Sequence, residues 1–482
     1  MRLAYCAVAL VALACLLVRA GRVGIAGDYL DPISNVVAQD EALYGHSAIR
    51  MAQHGGWLTP MFLGQYAPNE PPLLAVGAGL SARLFGVSRL ALRLPVALLV
   101  SLAVGLVFWW TAEFQSWQAG ACAAGLLVSN HPWHSLGSMC LTDGLLAAFY
   151  VAALFCLFAD PWLESLWSVG AFSIAVAGGI LSHGAAGLAP LVVLGLYWIA
   201  APRNERPRLR QAMLAASLAI VLAAPWFLYQ MAARGHWYWP ELAASGIPGY
   251  GAAPQTSQES RGLFYLTRIT LLDPVLFAAA AVALPHFLKA LRKRSAPTVL
   301  LLLGLALPVA AAFFWRDQSV SYLLPMAPLM AILAAAYNPL CTGRTTKWMV
   351  ALLVVAFVAK SAVPSAPWGL SFQAGTKVAA APLVSSYCEQ ARGNELILIN
   401  AEDGYYATLL PLARVRYVPE DNLETTIRMN PDSDLILPER YRAALAPVAQ
   451  ATHDIVTVSP GWFLLLSHRV LPPGGRKWSC RL

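Results

Sequence analysis

Charged residues are scarce in this chain. Only 12% of its 482 residues are Asp, Glu, Lys or Arg, where soluble domains carry roughly a quarter. That shortage excludes an ordinary soluble protein, and dividing the length by a soluble domain size would mislead. Paired metal or redox spacings are missing too. The eight cysteines include no CxxC pair, so neither a thioredoxin-like dithiol nor a zinc ribbon is written here. The nine histidines show no HxH or HExxH spacing, and His131 and His134 are separated by Pro132, which makes a shared helical face doubtful. No internal repeat and no low-complexity segment is visible. The basic excess, a formal +8, forms no continuous stripe, which argues against a nucleic-acid partner.

What the chain has instead is apolar length. Hydrophobic residues make up 58% and mean hydropathy is +0.58. Eleven segments approach the ~20 residues a bilayer needs: 3–20, 90–112, 117–132, 142–159, 165–182, 185–201, 211–230, 272–290, 297–314, 320–338 and 347–364. The boundary between 182 and 185 is tight. The run from Leu3 to Val18 follows a single Arg2 and has the length of a signal-peptide core. With no small-x-small cleavage site before the acidic loop, an uncleaved first span is the preferred reading.

An N-terminus placed inside sorts the loops. Arg203, Arg206, Arg208 and Arg210 then face the cytoplasm, with Lys289, Arg292, Lys293, Arg294, Arg344 and Lys347. The opposite side receives the acidic loop after the first span, His131 to Leu141, the Ser182-His183-Gly184 corner, Met231 to Leu271, and Arg316 to Ser319. One assumption thus satisfies the positive-inside rule and gathers the unusual polar residues outside. Six cysteines (Cys6, Cys15, Cys122, Cys140, Cys156 and Cys341) lie in or beside apolar segments and read as packing residues. Residues 365–482 change character: GNELILIN, Val415 to Val418, Asp434 to Leu437 and Trp462 to Leu466 read as strands, Thr376 to Gln390 and Glu439 to Leu445 as helices. This predicts a transmembrane domain over 1–364, whose first outer loop spans 21–89, and a small α/β domain over 365–482 outside the membrane. Cys388 and Cys480 in that domain form a candidate disulfide.

The stretch from Asp40 to Pro72 is the most distinctive. Asp40 and Glu41 open a predicted helix of about four turns that stops at Gly55-Gly56, with Tyr44, Ala48, Met51 and Ala52 on one face and Asp40 one turn before Tyr44. Pro71-Pro72 starts a second helix that runs to Gly86. The series Asp40-Glu41-x-x-Tyr44, Gly56-Trp57-Leu58-Thr59-Pro60, Pro71-Pro72-Leu73, Leu84-Phe85-Gly86 and Arg93-Leu94-Pro95 resembles the first extracytoplasmic loop of the GT-C glycosyltransferases that use polyprenyl-phosphate sugars. Protein O-mannosyltransferases and lipid A aminoarabinose transferases are the most similar branches. The likeness extends more loosely to about residue 340.

The resemblance implies a polytopic α-helical membrane protein of GT-C-like fold with juxtamembrane helices, seated in a bacterial inner membrane with its active site extracytoplasmic. It implies transfer of a sugar from a polyprenyl-phosphate donor to a lipid, glycan or protein acceptor. Asp40 falls on the family's catalytic aspartate, though an aspartate at a helix start is also a natural N-cap. Glu41 could orient the site or simply meet the helix dipole. Asp143, in the outer end of the fourth span, resembles the family's second acid; the alternative is another cap. Arg93, on the outer side against the charge trend, is a candidate grip for the donor phosphate, as is Arg316; a snorkelling role is the alternative. Tyr44 and Tyr322 are candidate substrate contacts, Tyr322 also fitting an interfacial aromatic belt. His183-Gly184 stands where relatives often have lysine-glycine. Glu70 stands where relatives often have a lysine before Pro71-Pro72; it could orient the acceptor, help bind a divalent cation, or pair with a nearby base. No residue is assigned as a metal ligand. A transporter or lipid flippase, and an inactive membrane scaffold, are the rival readings; transporters favour repeats and polar groups at mid-membrane depth, unlike this chain.

Overall fold

The structure is a computed structural model that describes residues 2–22, 39–62, 65–66, 71–234, 261–314, 319–342, 396–399, 415–418, 423–459 and 462–468. Helices stand at ten of the eleven positions expected for spans. They are α1 (Arg2–Arg22), α4 (Arg89–Phe114), α5 (Trp117–Ser129), α7 (Thr142–Ala159), α8 (Leu166–His183), α9 (Ala189–Ala200), α10 (Leu209–Arg234), α12 (Pro274–Leu291), α13 (Ala296–Phe314) and α14 (Met326–Ala336). The eleventh position, 347–364, lies outside the described residues, as do Cys388 and Cys480. By length and apolar content, seven segments among the described residues can cross a bilayer, with α8 and α9 joined as one continuous stretch. α5, α9 and α14 are shorter than a full span, at 13, 12 and 11 residues.

Serine caps set several of these starts. Ser88 Oγ accepts from Ala91 N at 3.2 Å at the head of α4, and Ser116 Oγ accepts from Ala119 N at 3.2 Å at the head of α5. Only Gln115 and Ser116 separate α4 from α5, so the two form a tight antiparallel hairpin. The short α14 is ringed by α4, α5, α7, α12 and α13. Its Leu329, Ala331, Ile332, Ala334 and Ala335 are wholly buried, and its alanines let neighbouring backbones approach closely, the usual device where lipid supplies no hydrophobic drive between helices.

The corner between α8 and α9 is the tight boundary seen in the sequence. Gly184 takes φ +61° and ends α8, and residues 184–188 turn back as a 3₁₀ helix. A side chain at Gly187 would collide with the backbone of Gly179 and Ile180, so this return is backbone laid directly on backbone.

Beside the bundle run α2 (Gln39–His54) and α3 (Leu73–Phe85), with a two-stranded hairpin, β1 (Met61–Phe62) and β2 (Gln65–Tyr66), between them. Both helices sit where the Asp40–Pro72 stretch predicts them. α6 (His131–Leu136) is a short helix before α7, α11 (Arg261–Leu272) precedes α12, and α15 (Pro339–Thr342) follows α14.

The C-terminal residues hold a five-stranded sheet in the order β4-β3-β5-β7-β6. Its strands are β3 (Leu396–Ile399), β4 (Val415–Val418), β5 (Asp434–Pro438), β6 (His453–Ser459) and β7 (Trp462–Ser467). The first three are parallel, β7 runs antiparallel to β5, and β6 antiparallel to β7. Leu435, Leu437, Phe463 and Leu465 pack under α16 (Leu423–Met429) and α17 (Arg442–Ala449). The predicted strands all form; β6 and α16 were not read from the sequence. The expected helix over Thr376 to Gln390 lies outside the described residues.

Candidate active site

Hydrogen bonds between helix ends sort the bundle into two ends. At one, Trp162 Nε1 donates to Asn204 O at 2.9 Å, Tyr197 OH to Glu205 O at 2.9 Å, and Ala296 N to Glu205 Oε2 at 2.9 Å. This end carries Arg203, Arg206, Arg208, Arg210, Arg292, Lys293 and Arg294. At the other, Trp226 Nε1 and Gln230 Nε2 both donate to Leu58 O, at 2.9 and 2.5 Å, which ties the loop after α2 to the end of α10. There Asn130 Nδ2 also donates to Asp273 Oδ2 at 2.6 Å, while Asp273 Oδ1 caps α12 through Leu276 N at 3.1 Å. The candidate residues among the described ones lie at this second end.

The N-terminal turns of α2 are its centre. Asp40 is placed by its backbone as the second residue of that helix. Glu41 is 1% exposed and faces Arg93, also 1% exposed, from the second turn of α4. Arg93 Nε donates to Glu41 Oε1 at 2.6 Å and Nη2 to Oε2 at 2.7 Å, the two-pronged geometry that suits guanidinium to carboxylate. Arg93 Nη1 donates to Ala20 O at 2.7 Å, and Cys140 N donates to Glu41 Oε1 at 2.9 Å. One carboxylate therefore joins the end of α1, the start of α2, the start of α4 and the segment before α7. Arg19 of α1 lies close enough to feel both charges.

This corrects the expectation for Arg93. Its guanidinium is buried and three of its five N–H groups are committed to Glu41 and Ala20, so it is not a free grip for a phosphate. Its two-pronged bond holds Glu41 at the start of α2.

The next turn of α2 reaches α7. Tyr44 OH lies 3.5 Å from Thr142 Oγ1, the first residue of α7, and Asp143 follows in the same first turn. Asp143 is not the cap of α7: that position belongs to Leu141, which makes no side-chain cap. Its carboxylate instead faces His183 at the end of α8, Oδ1 to Nε2 4.0 Å, with side chains 17% and 31% exposed. Asp40, Tyr44, Asp143 and His183 are thus carried by three helix ends that converge.

Lower on α2, Ala48, Ile49 and Met51 are buried, Ser47 Oγ donates to Met61 O at 3.0 Å, and His46 is enclosed beside them. Burial pushes the His46 imidazole down to about 4; Arg50 adds to the shift and a hydrogen bond with the Met61 backbone opposes it. His46 is therefore a neutral packing histidine.

Tyr322 lies half-buried in a 3₁₀ turn, Val320–Leu323. The turn borders an apolar pocket lined by Leu272, Leu276, Phe277, Leu323, Leu324 and Met330, with Asn130 and Asp273 at its polar edge. Glu70 and Arg316 lie outside the described residues. Among the described residues no three His, Cys, Asp or Glu side chains gather as a metal site. The Glu41–Arg93 pairing could not be read from the sequence, since 52 residues separate its members. Thr142 and Gln230 were missed as ordinary helix residues.

Residues 34–236 match the family of dolichyl-phosphate-mannose-protein mannosyltransferases. The chain is 26% identical over 322 residues to an undecaprenyl phosphate-alpha-4-amino-4-deoxy-L-arabinose arabinosyl transferase of Aeromonas hydrophila, over 64% of this chain and 57% of that protein. It is 26% identical over 367 residues to a second such enzyme of Sodalis glossinidius, over 71% of this chain and 64% of the relative. The chain thus spans less than two thirds of the length of these relatives. Among solved structures, ArnT from Cupriavidus metallidurans in the apo state superposes with a TM-score of 0.72 over 96% of this chain and 97% of that one, at 16% identity. The same protein bound to undecaprenyl phosphate gives 0.69 over 98% and 99%, also at 16% identity. An oligosaccharyltransferase from Archaeoglobus fulgidus gives 0.52 over 94% and 73%, at 13% identity. The chain is a polytopic membrane protein with the GT-C fold, and its sequence resembles the glycosyltransferases that use polyprenyl-phosphate sugars.

Proposed function

We propose that the protein is a membrane glycosyltransferase that moves a hexosyl or pentosyl group from a polyprenyl-phosphate donor to a lipid, glycan or protein acceptor. The observation that carries this reading is the convergence of α2 and α7, where the Tyr44 and Thr142 hydroxyls meet at 3.5 Å beside Asp143 and one turn from Asp40. The similarity to the undecaprenyl-phosphate arabinosyl transferases supports it.

Asp40 is the general base. It takes the proton of the acceptor as that group attacks the anomeric carbon, with inversion at that centre. Asp143 supplies the second carboxylate and Tyr44 a substrate hydrogen bond. The leaving phosphate is met by Arg316 and Tyr322 at the junction before α14, and Arg93 acts through Glu41 as a positioning residue. Glu70 orients the acceptor. The end of the bundle that carries Arg203 to Arg210 faces the cytoplasm of a bacterial inner membrane, as the positive-inside rule requires, so the site and the C-terminal sheet face outward.

The test uses spheroplasts, which expose only the outer face, and mass spectrometry of lipids and surface glycans from cells with and without the protein. A sugar-modified product appears only with the wild-type chain. Asp40→Asn keeps shape but removes the proton acceptor, and lowers transfer by 10²–10⁴-fold, the range of general base catalysis, with donor-lipid binding retained. Retention of more than about a tenth of the activity assigns Asp40 a capping role instead.

A further inference from the structure

The pair formed by Asp143 and His183 is set apart from the other charges at this end. Glu41 and Arg93 are sealed and spent on each other. Asp143 and His183 face each other at 4.0 Å, are partly open, and among the described residues their side chains make no hydrogen bond and no second ion pair. The distance suits an attraction between charges but is too long for a hydrogen bond, so both groups keep free capacity for a substrate.

Asp143 sits in the first turn of α7 and His183 in the last turn of α8, so the two side chains meet where one helix begins and another ends. The corner beneath His183 is stiff, since Gly187 lies against Gly179 and Ile180 with no room for a side chain. The elements packed on α8 are α3, α7, α10 and the 184–188 turn. Their titratable or charged groups are Arg83 in the last turn of α3, Asp143, Tyr150 and Cys156 on α7, and Arg210, Tyr229 and Arg234 on α10; the turn has none. Only Asp143 pairs with His183.

We propose that His183 is a positioning residue that, as an imidazolium, holds the Asp143 carboxylate toward the end of α8, and so makes sugar transfer dependent on its proton. This rests on the transferase reading above. Histidine is the side chain whose charge ordinarily changes between pH 5 and 8, whereas a lysine keeps its charge to beyond pH 10. This corner of the chain is therefore built for a transferase that slows as its surroundings turn alkaline.

The experiment is transfer by the full-length protein across pH 5–9, for wild type, His183→Lys and His183→Gln, with donor-lipid binding and thermal unfolding measured beside it. Wild-type transfer falls on the alkaline side of the profile, as the imidazolium gives up its proton. His183→Lys moves that fall upward by about 2 pH units or more. His183→Gln, of similar size and without charge, runs roughly tenfold below wild type at pH 6 and shows no fall of its own, while its donor binding and unfolding temperature stay close to wild type. If His183→Lys does not fold, the His183→Gln profile decides. Superimposable profiles in active wild type and variant overturn the proposal alone. A wild-type protein that transfers no sugar at any pH overturns the transferase reading, and this proposal with it.

Discussion

The two ends of the helical bundle are both polar and both hydrogen-bonded, yet they differ in what their polar groups have left to give. At the end rich in arginine, Glu205 caps α13 through Ala296 N and receives Tyr197 through its backbone carbonyl. Arg206 lies 4.4 Å over the Trp198 ring and donates to its carbonyl at 3.0 Å, and Arg208, Arg210, Arg292, Lys293 and Arg294 are exposed to solvent. Each group there either ties the chain or sits in water. At the other end a buried, two-pronged pair, Glu41 and Arg93, stands behind a partly open one, Asp143 and His183. Polarity alone does not mark a site. What separates the two ends is a buried charged pair standing behind a partly open one.

The sharpest way to break this contrast is to remove one half of the sealed pair. Arg93→Ala strands a buried carboxylate, and the loss is expected at about 3–5 kcal/mol, measured by reversible unfolding in detergent. Replacing both Glu41 and Arg93 by leucine recovers much of that stability without restoring transfer, because the turn that carries Asp40 loses its anchor. A loss below about 1 kcal/mol for Arg93→Ala would mean that the guanidinium is solvated and the two ends are alike.

A second prediction concerns acid. The folded protein holds His46 unprotonated down to about pH 4, while an unfolded chain protonates a histidine below about 6.5. Between those values the unfolded state binds more protons, so stability falls as pH drops through that window, by roughly 3 kcal/mol at its lower limit. His46→Gln should flatten the dependence, read from unfolding curves at pH 7, 5.5 and 4. An unchanged slope in the variant would assign the acid sensitivity elsewhere.

The smallest effect belongs to the opposite end. Glu205→Ala removes a cap from α13 and should cost about 1 kcal/mol, with transfer at the wild-type rate. A tenfold loss of transfer would connect the two ends in a way that their separate hydrogen-bond sets do not suggest.

Much of the fold was legible because membrane helices announce themselves by length. The ends of α2 and α3 were equally plain, since Gly55 and Gly86 follow directly on the last helical residues. β5 and β7 were visible in their alternation; β6, with His453, Asp454, Thr457 and Ser459 in seven residues, was not. The site was legible residue by residue but not in its pairings. Arg93 looked like a phosphate grip because the sequence reading put this cation on the outer side, and only the third dimension reveals a carboxylate from 52 residues away taking two of its donors. Asp143 was ambiguous between cap and functional acid for a similar reason: the choice depends on a partner at the end of another helix, His183.

The carboxylate of Glu41 also constrains the order in which the protein can be made. Its donors come from Arg93 and from the amide of Cys140, and Arg93 itself needs the carbonyl of Ala20. During synthesis α2 is complete long before residue 140 leaves the ribosome, so Glu41 must wait in water or at the lipid headgroups until the first half of the bundle has inserted. This end of the bundle closes only after that, which makes insertion of the segment leading into α7 the step at which a newly made chain completes the pairing.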